Sequence, residues 1–357
     1  MKKHIKLFNF FFLFLPLLSL AGNGDEIQKK KTINKSYPVT ANDKLEIENT
    51  FGNILVQTWD KSEITVDIEI VANAPTEEKA QDIMDEISVK DIHSGNIIAF
   101  KTKVGDIHNN GNKNHHDMEN DRAFYIDYVI HMPAGNRLEL TNSFGKMTVP
   151  DLTGEVNLTS KFGSLTAGKL KNVDIVQVEF GKANIAEVSN GKVVFKFNQE
   201  SRIGNVNGTA KITSEFSQNV QFNVSDDIQD LAVFESYSKV RMVVSKSLSG
   251  DFDVHSSFGN FHNDTEFGIH EEREKGENDY GPHFDKDYRG KAGDGKAKIK
   301  IKDSFGSIRL THSSASSNEE DDDKSPRMKN RNDNKQKDKN KNKDKDKHED
   351  DDDDRTT

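Results

Sequence analysis

Apolar and polar residues alternate in short bursts along most of this chain. Leu45 and Ile47 alternate with Lys44, Glu46 and Glu48, and Ile64, Val66, Ile68 and Ile70 alternate with Glu63, Thr65, Asp67 and Glu69. A period of two predicts half-buried strands. Further on, Met147, Val149, Val156 and Leu158 share one face, while Lys146, Thr148, Glu155 and Asn157 share the other. Strands are also expected at Ile97 to Lys103 and Phe124 to Met132. One segment has helical spacing instead. After Pro75-Thr76-Glu77-Glu78, Ala80, Ile83, Met84 and Ile87 form an i, i+3, i+4, i+7 stripe, and the early acids suit a helix amino terminus.

An aromatic step, followed in most copies by glycine, punctuates the strands. It reads Ser143-Phe144-Gly145, Lys161-Phe162-Gly163, Glu179-Phe180-Gly181, Lys196-Phe197-Asn198, Glu215-Phe216-Ser217, Ser236-Tyr237-Ser238 and Ser257-Phe258-Gly259. Thr50-Phe51-Gly52 is an outlying copy and Ser304-Phe305-Gly306 a late one. A central period of about 17 to 21 residues is that of stacked repeats, each a coil that buries its apolar face only against its neighbours. The expected fold is therefore all-β. It is a single β-solenoid of short coils with an aromatic-Gly corner per coil, one short helix in the N-terminal region acting as a cap, and a disordered C-terminal tail. Stacking should superimpose Phe144, Phe162 and Phe180 and bury their rings. The glycine should serve a positive φ or a close backbone approach. Asn198 is expected to replace it by tolerating the left-handed region, and Ser217 and Ser238 to mark looser corners.

The ends differ from the middle. Lys2, Lys3 and Lys6 precede an apolar run from Leu7 to Leu20, and Ser19-Leu20-Ala21 offers a cleavage site, so residues 1–21 read as a signal peptide. No later stretch is apolar enough to span a membrane. The chain of 357 residues has no cysteine, which excludes disulfides and a lipid-modified amino-terminal cysteine. From Ser313 onward almost nothing apolar remains, and residues 313–357 are expected to be a disordered acidic and Lys/Asp tail. Between these ends, residues 22–31 read as a linker, 32–133 as an N-terminal β region with the helix, and 134–312 as the repeats with a charged insertion at 267–295. A net charge of −10 argues against nucleic acid as a partner.

Chemistry is sparse. His108, His115, His116 and Asp117 combine imidazole and carboxylate as a zinc or copper site would, yet their Asn/Gly-rich segment reads first as a mobile hairpin loop. No metal or other cofactor is assigned. Tyr280, His283, Phe284, Tyr288 and Arg289, in the charged insertion, offer aromatic and charged groups suited to a glycan or a protein edge. No phosphate loop, nucleophile elbow, zinc-protease helix or catalytic carboxylate pair stands out, so no catalytic residue is assigned.

Laid out in this way, the chain resembles the bacterial putative-adhesin family of domains of unknown function, whose members look like "toast-rack" β-solenoids. The likeness rests on Leu45 to Ile54 with its Asn49-Thr50-Phe51-Gly52-Asn53 core, Trp59-Asp60, Pro75 to Ile87, Tyr125 to Pro133, Leu138 to Gly145, the coils, and Ile301 to Ile308. The resemblance implies an exported protein of the bacterial envelope and brings no catalytic residues with it. Three functions follow in order. The first is a non-catalytic, adhesin-like protein binding an envelope protein or glycan, in the periplasm or at the cell surface. The second is a periplasmic accessory of an envelope-stress or signalling system. The third is a polysaccharide-active enzyme.

Overall fold

A computed structural model describes residues 26–105, 124–272 and 284–312. The described strands line two facing walls, and most of the chain crosses from one wall to the other and back once per repeat. In chain order the elements are β1 (Ile27–Pro38), β2 (Lys44–Phe51), β3 (Ile54–Thr58), β4 (Glu63–Ala74), α1 (Glu77–Asp85), β5 (Ile87–Ser94), β6 (Ile97–Val104) and β7 (Phe124–Met132). Then come β8 (Arg137–Phe144), β9 (Lys146–Val149), β10 (Leu152–Lys161), β11 (Ser164–Glu179), β12 (Lys182–Lys196), β13 (Glu200–Glu215), β14 (Asn219–Ser236) and β15 (Lys239–Val244). The last are β16 (Gly250–Ser257), β17 (Asn260–Asp264), β18 (Gly268–Glu272), β19 (Asp285–Ala292), β20 (Ala297–Ser304) and β21 (Ser307–Thr311).

The long strands β11 to β14 each serve both walls. The first part of β11 pairs in parallel with β9 and its second part with β10. Register places like on like. Leu158, Val176, Val193, Ile212 and Val233 form one inward column, and Met147, Leu165, Ala183, Ser201 and Val220 another. These residues are almost fully buried. The alternation read from sequence therefore becomes columns of side chains that are apolar except for Ser201, which is how a thin repeat acquires a core.

Spatial order departs from chain order at both ends. β2 and β3 pair in parallel with β8 and β9, so the Phe51 corner is no outlier but the rung next to Phe144. At the other end β20 lies between β14 and β16, and β21 lies between β15 and β17. The chain skips a rung on leaving β15 and returns to fill it last.

Antiparallel strands finish the walls. β4 pairs β7 and β1 pairs β4; β5 pairs β6; β19 pairs β16 and β18 pairs β19. Residues 27–31, read as linker, are thus strand. The insertion read as a loop at 267–295 is, in its described parts, a pair of strands laid on β16. The outermost strands carry charge on exposed positions, with Lys30, Lys31 and Lys35 on β1 and Glu271 and Glu272 on β18. Charged side chains blunt an edge that would otherwise accept another strand.

The helix starts at Glu77, two residues past Pro75. Thr76 is the N-cap, its Oγ1 accepting from the Lys79 N–H at 3.3 Å, and Pro75 precedes it. Ala80 and Met84 are buried against the strands at this end, and Ile83 is partly buried. Among the described residues no helix is long and apolar enough to cross a membrane.

Candidate functional site

The aromatic corners align into one ladder along the outside of the walls. Its rings run Phe51, Phe144, Phe162, Phe180, Phe197, Phe216, Tyr237, Phe305, Phe258 and Phe284, with centroids 4.7–5.1 Å apart and planes within 16° of parallel. Phe124 meets Phe51 edge-on at the other end. The pitch is that of hydrogen-bonded strands, about 4.7–4.9 Å, so the backbone sets it rather than the rings.

The ladder differs from expectation in being exposed. Phe162 is 50% accessible, Phe180 49% and Tyr237 51%. Neighbouring rings cover each other's faces and leave the edges in water. The reason lies in the backbone. From Phe162 through Phe258 along the ladder, though not at the final Phe284, the aromatic residue, not the glycine, is left-handed, with φ of 52° at Phe162, 54° at Phe180, 55° at Phe197 and 61° at Phe305. That conformation turns the side chain out of the corner. It costs roughly 1–2 kcal/mol for an L-residue, and each ring pair returns about 0.5–1.5 kcal/mol beyond burial. Only Gly52 and Gly145, at the first two corners, carry the positive φ themselves.

Replacing Phe180 by Asn, which tolerates the left-handed region, should cost about 1–2 kcal/mol in urea unfolding through the loss of two ring contacts. An unchanged midpoint would mean the stacking contributes nothing.

Inside the corner runs a polar column that sequence reading missed. Two residues before each aromatic stand Asn49, Asn142, Ser160, Val178, Phe195, Ser214, Glu235, Asp303 and Ser256, and the polar members are buried. Asn49 Nδ2 donates to Asn142 Oδ1 at 3.2 Å, and Asn142 Nδ2 to the Gly52 carbonyl at 2.9 Å. The signal was available, since these residues share the aromatic period.

Asn198, Ser217 and Ser238 are not loose substitutes for glycine. They are buried and linked in a chain. Gly181 N–H donates to Asn198 Oδ1 (3.1 Å), Asn198 N–H to Ser217 Oγ (3.1 Å), Ser217 N–H to Ser238 Oγ (2.9 Å), and Ser238 N–H to Glu235 Oε1. Asn198 and Ser217 fit because their corners are one residue longer, so that Glu200 and Asn219 take the register place that Lys182 holds after Phe180.

Outside, the ladder is flanked on both sides. The residues before the rings form a rail of alternating charge, with Lys161 to Glu179 at 3.5 Å and Lys196 to Glu215 at 3.2 Å. On the other flank a groove of about 1040 Å³ is lined by Phe162, Phe180 and Phe197, by Gly145, Gly163 and Gly181, and by polar groups including Tyr125, Asp127, Lys146 and Lys182.

The residues proposed from sequence are not gathered at one place. Phe284 is the last ring of the ladder, 4.7 Å from Phe258. Tyr288 stands in register with Val254, half-buried and 5.3 Å from Phe261, and burial raises its pKa. Arg289 points the other way, paired with Asp253 at 2.9 Å and Glu272 at 3.7 Å. Strand alternation separates these last two. Tyr280 and His283 lie outside the described residues, as do His108, His115, His116 and Asp117. Among the described residues no cluster of three or more potential metal ligands occurs.

No family model matches the chain, and no curated protein matches it. Solved bacterial structures are similar to it. One is described as a putative adhesin from Bacteroides fragilis, 13% identical, covering 78% of this chain and 97% of that one with a TM-score of 0.31. Another is a putative cell adhesion protein from Clostridium sporogenes, 11% identical, covering 79% and 99%, with a TM-score of 0.26. A third is a putative lipid binding protein from Parabacteroides distasonis, 12% identical, covering 81% and 98%, with a TM-score of 0.23. Identities and scores this low assign no partner and no reaction.

Proposed function

We infer that this chain is a non-catalytic, exported β-solenoid of the bacterial envelope with an adhesin-like role, binding a partner along the outside of its aromatic corners. The observation that carries this reading is the half-exposed ladder. A contiguous apolar stripe on a folded surface marks an interaction site, and here Phe162, Phe180, Phe197, Phe216, Tyr237, Phe305 and Phe258 keep their rings in water at the expense of a left-handed backbone. Rigid walls with a continuous outer ridge suit binding better than turnover.

A polysaccharide-cleaving role draws no support from the Glu235 and Asp303 pair. The two are 3% and 0% accessible, out of reach of any polymer. The test is surface labelling of intact host cells together with reducing-end release from a polysaccharide panel. Labelling of the chain on intact cells, without release, supports the adhesin-like reading. Labelling only after the outer layers are opened favours a periplasmic accessory, and release of reducing ends would establish an enzyme.

A further inference from the structure

We propose that the partner seated on the ladder is a second copy of this chain, lying antiparallel across it about a two-fold axis between the rungs of Phe180 and Phe197. The inference rests on the binding reading above and names its occupant.

Pitch is the first argument. Both faces of each inner ring are covered by its neighbours, so the flat ring face that stacks on a sugar is not free; only edges are offered. A partner for a row of edges must itself repeat every 4.7–5.1 Å over many rungs. A second ladder has that repeat by construction.

Charge is the second. A two-fold axis in the contact plane and perpendicular to the ladder reverses rung order and sets each flanking rail against itself. Phe180 then meets Phe197 of the second copy, and Phe162 meets Phe216. The rail reads Lys161, Glu179, Lys196, Glu215 in stacking order. Reversed on itself, it places Glu179 opposite Lys196 and Lys161 opposite Glu215, so every facing pair is of opposite sign. Outward from these come Ser143 opposite Ser236 and Thr50 opposite Ser304, all uncharged. On the other flank Lys182 falls opposite Glu200 and Ser164 opposite Asn219, while Lys146 meets Lys239 as a like-signed pair two rungs further out. Next to the axis, where the charges are opposite on both flanks, the contact has the self-complementarity that a two-fold requires.

Area is the third. Phe162, Phe180, Phe197, Phe216, Tyr237 and Phe305 are 45–51% accessible. With aromatic side chains of about 150–250 Å² each, the rings alone would cover on the order of 1,200 Å² over both copies, the lower end of a specific interface.

The experiment is sedimentation of the purified full chain over about 1–100 μM, with β circular dichroism as a check on folding. The wild type is expected to dimerise. Phe180→Asn with Phe197→Asn keeps the left-handed corners and should weaken association at least about tenfold. Glu179→Lys alone and Lys196→Glu alone should each weaken it similarly by creating like-charge pairs. Their equimolar mixture should restore dimers, because the altered residues then face each other as Lys and Glu. A parallel arrangement sets Glu179 against Lys182 and Lys196 against Glu200, and gives no such rescue. A wild type monomeric throughout, a dimer indifferent to the ring variant, or a mixture that fails to recover would each overturn the proposal. If the ring variant does not fold, the charge exchange alone decides. None of these failures touches surface labelling or the polysaccharide assay, so the broader binding reading stands or falls separately.

Discussion

Gly163→Ala is expected to destabilise the fold by about 3 kcal/mol, the upper end of what overpacking a tight site costs, seen as a lower urea midpoint. A methyl built on Gly163 would overlap the carbonyl oxygen of Gly145 in the rung beneath. Gly181 bears the same relation to Gly163, and Gly145 to Gly52, so the glycines form a column in which each peptide rests on the last. The obstructing carbonyl is not free to move aside, since Gly145 O accepts from Ser164 N–H at 3.3 Å and Gly163 O from Lys182 N–H at 3.2 Å. Gly163 has no positive φ, so the demand is for space alone. Gly95 supplies the contrast. It has φ +61° and nothing within 4 Å of an added methyl, and Gly95→Ala should cost only about 1–2 kcal/mol of left-handed strain. Equal midpoints for the two variants would show that the column is not closely packed.

This contrast also shows what the sequence did and did not reveal. Recurrence of Phe-Gly announced stacked corners, and period-two alternation placed Met147, Val149, Val156 and Leu158 inside, because both signals are local and repeated. Which residue of the pair bears the strain was not legible. A left-handed Phe162 beside an ordinary Gly163 is fixed by the neighbouring rung, which needs the space over Gly145 and leaves the ring to turn outward. For the same reason ring burial was overestimated. The late placing of β20 and β21 between strands laid down earlier was hidden too, because Phe258 and Phe305 occur in similar local settings and only long-range pairing decides which lies next to Tyr237. As for the candidate contacts, Phe284, Tyr288 and Arg289 looked like one loop cluster. Strand alternation sends Tyr288 and Arg289 to opposite faces, and the strand character of that segment is masked in sequence by its charge.

Stability should fall as pH rises from about 5 to about 8, with a slope approaching ~1.4 kcal/mol per pH unit and a total on the order of 3 kcal/mol, and Glu235→Gln should remove this component. Glu235 and Asp303 sit in register on β14 and β20 and are buried side by side. Glu235 Oε1 accepts from Ser238 N–H and Oε2 from Ser304 N–H at 3.3 Å; Asp303 Oδ2 accepts from Ser256 Oγ at 2.7 Å. The Ser238 and Ser304 donors favour the charged form of Glu235, but burial, and after it the hydrogen bond and charge of Asp303, push its carboxyl up to about 9. The folded state therefore holds a proton that the unfolded chain releases near pH 4.5. Below that pH both states are protonated and folding bears no penalty. Between there and about 9 the unfolded state binds fewer protons, so stability declines with pH, the reverse of a salt-bridged carboxylate. Glutamine keeps a donor toward Asp303 at every pH and should flatten the difference, leaving the variant more stable than the wild type at pH 8 and close to it at pH 5. Other titrating groups contribute equally to both proteins and cancel in that comparison. Parallel stability curves for wild type and Glu235→Gln from pH 5 to pH 8 would mean that the pair shares no proton.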